Sequence, residues 1–147
     1  MFQSGLTTGL VIDFLAFPPV TQEQLRAYAD ASGDFNPIHL DEQVAKGAGL
    51  PGVIAHGMLI AGLMAERARR FVEENVDLRG SGAFVLEQFQ TRFKAMTLLG
   101  DTPSVGGVVK EASQDKLVLE LQAKNQRGEV STVGTARFRF ADKAGKR

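Results

Sequence analysis

"GMLIAGLMAERARRFVEEN", residues 57–75, reads as one helix with two characters. Its first half is apolar around the whole circumference: Met58, Leu59, Ile60, Ala61, Leu63, Met64 and Ala65. Its second half carries Glu66, Arg67, Arg69, Arg70, Glu73 and Glu74. A helix apolar on every side must be enclosed on every side, so about two to three turns are expected inside a sheath and the rest in water.

The sheath has to come from the flanking chain. Downstream, residues 81–96, 101–113, 115–126 and 128–141 read as strands with period-two segments, such as Leu117, Leu119, Leu121 and Arg137, Phe138, Arg139, Phe140. Gly100-Asp101, Gln114-Asp115 and Arg127-Gly128 separate them, short enough for antiparallel hairpins. Upstream, "GLVIDFLAF" (9–17) is a further strand, ended by Pro18-Pro19. Thr21 then reads as an N-cap, and Gln24 completes a capping-box pattern for a helix over 22–32. Leu25, Tyr28 and Ala29 share a face of that helix, and Gly33 stops it. Asp41 caps a short helix, "EQVAKG". One strand, a helical middle and four long antiparallel strands predict an α+β domain whose sheet wraps one central helix. It is expected to span residues 1–141, with "DKAGKR" (142–147) as a flexible tail.

At 147 residues the chain is most simply one domain, and 44% hydrophobic against 23% charged residues places it among globular proteins. Seventeen basic and seventeen acidic residues cancel, which argues against bulk attraction to nucleic acid. The absence of cysteine excludes disulfides, thiolate catalysis and cysteine-ligated zinc, and fits a reducing compartment. The first twenty residues lack the basic leader of a signal peptide, and the apolar run 52–65 is too short to span a bilayer. The expectation is a soluble, cytoplasmic protein.

The chemistry concentrates in "ASGDFNPIHLDE", residues 31–42. Asp34 and His39 are five residues apart, which on a helix would set them roughly 140° apart around the axis. Pro37 pushes Asn36 out of the α region in any case, so the pair meets only if a loop folds both toward one point. Two readings stay open: turn-forming residues that cap nearby N–H groups, or an acid–base pair. His39 and His56 are the only histidines and have no HExxH spacing, so no metal is expected. "AHGML", residues 55–59, sets His56-Gly57 at the start of the long helix, where unpaired N–H groups and the positive dipole end lie. Glycine there lets a ligand carbonyl approach closely.

"YADASGDFNPIHLDEQVAKGAGLPGVIAHGML" resembles the hydratase motif of the MaoC-like, (R)-specific enoyl-thioester hydratases and dehydratases. That family has the hotdog fold, a sheet curled around a long helix. The resemblance is clear from about Pro19 to Gly107 and looser over the last two strands. It implies catalytic roles for Asp34 and His39, an oxyanion donor in the Gly57 N–H, and supporting roles for Asn36 and His56. The implied reaction is reversible hydration of a trans-2-enoyl thioester to a (3R)-hydroxyacyl thioester. The acyl group would be carried on coenzyme A or acyl carrier protein, and no other cofactor is implied. Met58, Leu59 and Leu63 are candidates for the acyl-chain wall, and Arg67, Arg69, Arg70, Arg92 and Lys94 for phosphate or carrier-protein contacts. This chain departs from many relatives in having no proline within "FKAMTLLGD" (93–101), and it has Ala65 where some carry a helix serine.

An isolated domain of this kind exposes an edge strand and half a cleft, so a homodimer or a heterodimer with a second hotdog subunit is expected. The alternatives are a hotdog thioesterase and an acyl-binding partner subunit of a heterodimeric dehydratase.

Overall fold

The computed structural model describes residues 6–76 and 82–142. In chain order the elements are β1 (Val11–Ala16), α1 (Gln22–Ser32), a 3₁₀ turn (Pro37–His39), α2 (Glu42–Gly47), α3 (Gly57–Asn75), β2 (Gly82–Phe93), β3 (Ser104–Ala112), β4 (Lys116–Lys124) and β5 (Val130–Asp142). The five strands form one antiparallel sheet in the order β1-β3-β4-β5-β2. The predicted tail lies outside the described residues, apart from Asp142, the last residue of β5.

The expected helix caps form, but the capping box at Thr21 closes from one side only, since the buried Gln24 Oε1 has no hydrogen-bond partner. Thr21 accepts a hydrogen bond from the Gln24 N–H, and Gly33 ends α1 in the left-handed region at φ 79. Asp41 accepts from the N–H groups of Gln43 and Val44 at the start of α2. Each such cap satisfies donors that the helix leaves open, typically stabilising by ~1 kcal/mol.

The core lies between α3 and the sheet. Ile60, Met64, Ala68, Phe71 and Val72 pack with Val105, Val109, Leu117, Leu119, Leu121, Ala123, Ala136 and Phe138. Register shifts in β1, β2, β3 and at the end of β4 break the straight ladders, and such shifts are where a sheet bends and twists. Gly134 lets helix and sheet close up: a Cβ there would sit 2.8 Å from the Gln90 carbonyl oxygen and 3.1 Å from Cε of Met64. Arg67 ties α3 to β1, its Nε and Nη2 donating to the Asp13 carbonyl at 3.2 and 2.7 Å.

Two expectations need correction. The apolar half of α3 is not enclosed on every side by this chain. Met58 is 61% exposed, while Leu59 and Leu63 are half-buried. Conversely Phe71 and Val72, in the charged half, are buried. One curved sheet covers one face along the whole helix, so the buried stripe runs lengthwise and does not stop midway. The second correction concerns Gly100-Asp101, which does not join a hairpin, because β2 pairs with β5 and not with β3. The intervening segment bonds elsewhere. Ala55 N–H donates to Thr97 O at 2.8 Å and Leu99 N–H to Val53 O at 3.0 Å. The buried Asp101 carboxylate accepts from Leu98 N–H at 2.9 Å and from the Gln126 amide at 3.0 Å. The chain ahead of α3 is thereby fixed by the crossover between β2 and β3.

Candidate active site

Three stretches converge at the N-terminus of α3. The first is the loop after α1. Asp34 Oδ1 accepts from Asn36 N–H, and Asn36 Oδ1 in turn accepts from Ile38 N–H, each at 3.2 Å. Asn36 thus caps the 3₁₀ turn that Pro37 opens, and the expected irregular loop contains this single turn of helix. The second stretch is 53–55, which the crossover holds. The Ile54 carbonyl sits 2.8 Å from Nδ1 of His39, and Ile54 N–H donates to Ile38 O at 3.3 Å. The third is His56-Gly57, the first residues of α3.

The tautomer of the neutral His39 ring follows from its partner. A carbonyl oxygen can only accept, so Nδ1 carries the proton and Nε2 keeps its lone pair. That Nε2 lies 3.9 Å from Oδ2 of Asp34, beyond hydrogen-bond length, so the two groups face one another across a gap. His39 is buried and Asp34 exposed. The imidazole is therefore held in the protein and the carboxylate stands at the solvent side.

His56 is more involved than a local helix-start residue. It makes no side-chain cap for α3. Its Nε2 lies 3.1 Å from the Asp34 carbonyl oxygen, and its ring stacks on that of His39 with centroids 3.9 Å apart and planes inclined by 25°. Tyr28 of α1 lies against it at 4.7 Å, tilted by 57°. Because His56 adjoins Gly57, the stack brings the opening turn of α3 beside the Asp34–His39 pair. The first-turn N–H of Gly57 has no acceptor within its own helix. A Cβ on Gly57 would lie 3.1 Å from the ring of Phe93, so this half-exposed ring lies close on the side where a side chain would project.

Ligand atoms of Asp34, His39 and His56 all fall within 4.8 Å of one another. Such a grouping is what a three-ligand metal site needs in distance, but direction matters as well. An imidazole binds an ion in its own plane at about 2.0–2.1 Å from nitrogen. Rings with centroids 3.9 Å apart and planes inclined by 25° have planes that meet well beyond that reach, so the stack must break before both rings share an ion.

The cationic contacts expected on α3 are mostly engaged within the chain. Arg67 is buried against the Asp13 carbonyl. Arg69 and Arg70 bond Glu66 and Arg69 also bonds Glu73. Arg92 and Lys94 are exposed, and Arg92 lines a groove of about 950 Å³ across the sheet that includes none of Asp34, His39, His56 or Gly57. Met58, Leu59 and Leu63 lie on the first turns of α3, where they leave apolar surface accessible. Tyr28, the Ile54 carbonyl and Phe93 were not singled out as site residues in the sequence. Only the aromatic beside the basic residues in "TRFKAM" offered a signal, and a backbone acceptor offers none.

A single antiparallel sheet around one long helix, with polar chemistry at that helix's N-terminus, is the hotdog architecture. The chain belongs to the MaoC-like family: the domain described as "MaoC like domain" matches residues 6–133. The (R)-specific enoyl-CoA hydratase of Aeromonas caviae is 30% identical over 115 residues, covering 77% of this chain and 81% of that protein. Fatty acid synthase 2 of Mycosarcoma maydis is 34% identical over 111 residues, 76% of this chain but 3% of that much longer protein. The fold matches a solved (R)-hydratase from A. caviae involved in PHA biosynthesis, with a TM-score of 0.77 at 23% identity over 92% of this chain and 98% of that one. It also matches the HadBC (3R-hydroxyacyl-ACP dehydratase) complex from Mycobacterium tuberculosis, with a TM-score of 0.73 at 19% identity over 90% of this chain and 96% of that one. Relatives of this chain are thus hydratases and dehydratases. No described helix is long and apolar enough to cross a membrane.

Proposed function

We propose that this chain catalyses the reversible hydration of trans-2-enoyl thioesters to (3R)-hydroxyacyl thioesters, with Asp34 and His39 as its acid–base pair. The observation that carries the reading is the 3.9 Å gap between His39 Nε2 and Asp34 Oδ2, set beside the first turn of α3. In the hydration direction, oxygen of water bonds C3 while one of its protons passes to the lone pair on Nε2. Asp34 accepts a hydrogen bond from the same water and orients it. The C2=C3 π electrons move toward the thioester, and the proton on Nε2 is returned to C2. Water is consumed and both groups end as they began, so dehydration is the same path reversed. General acid–base groups of this kind each contribute about 10²–10⁴-fold.

As C2 takes on enolate character, negative charge grows on the thioester oxygen. The Gly57 N–H, at the positive end of α3, is the proposed donor to that oxygen; losing such a donor typically costs about 10²–10³ in rate. The acyl chain would lie along Met58, Leu59 and Leu63. Arg92 and Lys94 are the cations left for a phosphate of coenzyme A or an acidic carrier protein. The hotdog complex among the structural matches supports assembly with a second hotdog chain, either a copy of this one or a different one.

The test is the absorbance of a crotonyl thioester with purified protein. Loss of the conjugated absorbance without release of thiol is the expected result. Thiol release would instead indicate a thioesterase. Activity that appears only beside a second hotdog chain would make this a partner subunit.

A further inference from the structure

We infer that His56 is a positioning residue for the Asp34–His39 pair, working as a fixed neutral donor that ties the main chain of one to the ring plane of the other. The inference rests on the hydratase reading for its kinetic consequence, though not for its geometry.

The acceptor at Nε2 of His56 is the Asp34 carbonyl oxygen, 3.1 Å away, so in the neutral ring the proton belongs on Nε2. The other nitrogen, Nδ1, is buried and makes no hydrogen bond. Protonation at Nδ1 would create a second buried N–H with nothing to receive it, which fixes the ring as a donor at one nitrogen only. The residue is 2% exposed, so neither nitrogen turns to solvent without moving its neighbours. A ring needed only to fill this space could be phenyl, which carries no nitrogen to be left unpaired as Nδ1 is here. The imidazole therefore earns its place through the one bond it makes, to the backbone of Asp34.

The face of the ring does the rest. Stacked at 3.9 Å and 25°, it limits rotation of His39 about its own Nδ1···Ile54 bond, so that the Nε2 lone pair stays directed at Asp34. Tyr28 braces the same ring from α1. One side chain thus sets two coordinates at once: where the Asp34 backbone sits and which way His39 faces. Small displacements of reacting groups can cost about 10²-fold in rate, so these coordinates bear directly on catalysis.

Two substitutions separate the hydrogen bond from the stack. His56→Phe keeps a ring and removes the donor; His56→Gln keeps a donor and removes the ring. The 147-residue chain is assayed on crotonyl-CoA after circular dichroism has established folding. His56→Phe is expected to lower kcat by about 10–100-fold with KM within about 3-fold, and His56→Gln to recover part of that loss. In parallel, ¹⁵N NMR of the wild-type imidazoles is expected to give His56 as the Nε2–H tautomer, a readout independent of activity and of whether either variant folds. A folded His56→Phe with wild-type kcat, or a protonated Nδ1 in His56, would overturn the inference. A wild type that shows the tautomer but hydrates no enoyl thioester would sink the hydratase reading and, with it, the catalytic role, leaving only the clamp.

Discussion

Nε2 of His39 lies 3.9 Å from Oδ2 of Asp34, and no hydrogen bond closes the distance. The separation is held from both ends. His39 is anchored through Nδ1 to the Ile54 carbonyl, and Asp34 is anchored through Oδ1 to the N–H of Asn36 and through its own carbonyl to His56. Two groups so fixed leave one carboxylate oxygen and one imidazole nitrogen 3.9 Å apart and unbonded to each other, the arrangement on which the proposed acid–base pair rests.

Asp34→Asn and His39→Gln should each lower kcat for enoyl-thioester hydration by about 10²–10⁴-fold. The asparagine variant keeps an Oδ1 for the Asn36 N–H, so its thermal midpoint should stay within a few degrees of wild type, in line with the small effects typical of exposed sites. Stopped-flow absorbance and a melting curve check the two halves of this expectation. Wild-type rates in both variants would mean that the pair is a turn device and nothing more.

Gly57→Ala tests the roof of the helix start. Its Cβ would press on Phe93, 3.1 Å away, and Phe93 is 49% exposed and so free to yield outward. The expected cost in stability is at the low end of the ~1–3 kcal/mol typical of overpacking. Activity should fall further than stability, because the added methyl crowds the approach of a carbonyl to the proposed oxyanion donor. In the background of Phe93→Ala the added methyl should cost little stability. A double-mutant cycle on urea midpoints measures that coupling; additivity would show that the ring and the glycine do not interact.

Much of this was legible in the chain. Helix α3 matches its expected bounds because an apolar run flanked by a glycine start and a charged second half has no other regular structure open to it. Thr21, Gly33 and Asp41 each announce a cap through local chemistry alone. Strand order was not legible: the turn at Gly100-Asp101 looks like a hairpin locally, yet long-range pairing of β2 with β5 decides the topology. Within the site, the meeting of Asp34 and His39 could be posed from sequence but not settled there. The stack of His39 on His56, 17 positions apart, depends on tertiary placement of α3 and left no periodic trace.

Gly107 should tolerate no side chain. A Cβ there would overlap the carbonyl oxygen of Glu120 on the neighbouring strand, and backbone cannot step aside as a flexible side chain can. Gly107→Ala is expected to cost at least the upper end of the ~1–3 kcal/mol usual for overpacking and to force β3 away from β4. Gly62→Ala, on the exposed side of α3 with nothing within 4 Å, is the control; it should raise stability by about 0.5–1 kcal/mol. Urea denaturation of both variants gives the comparison, and a stable Gly107→Ala would show that the β3–β4 register is wrong.

Assembly is expected to use β2, an edge strand of 12 residues that carries Val85 and Leu86 at 43% and 41% exposure. A long edge strand with exposed apolar side chains invites pairing with another strand, and natural edges are guarded by charge where pairing is unwanted. Sedimentation should therefore find a two-chain species. Leu86→Lys, which adds such a guard, should shift it toward single chains. A wild-type monomer at high concentration would count against a homodimer and direct attention to a different partner chain.

The charged half of α3 gives a pH signature separate from the site. Glu66 accepts hydrogen bonds from Arg69 and Arg70, which hold its carboxyl down from 4.5 to about 2. A carboxylate with a lower pKa in the folded state binds fewer protons than its unfolded counterpart, so its contribution is present above the ordinary value and is lost as pH falls toward the folded one. Glu66→Gln should thus be less stable than wild type at pH 7, with the difference shrinking between about pH 4.5 and pH 2. Because the network faces solvent, the difference at pH 7 should be small and should shrink further in high salt. Urea midpoints of the two proteins across that range measure it, and a difference that grows on acidification would mean that Glu66 is not held as a carboxylate by these arginines.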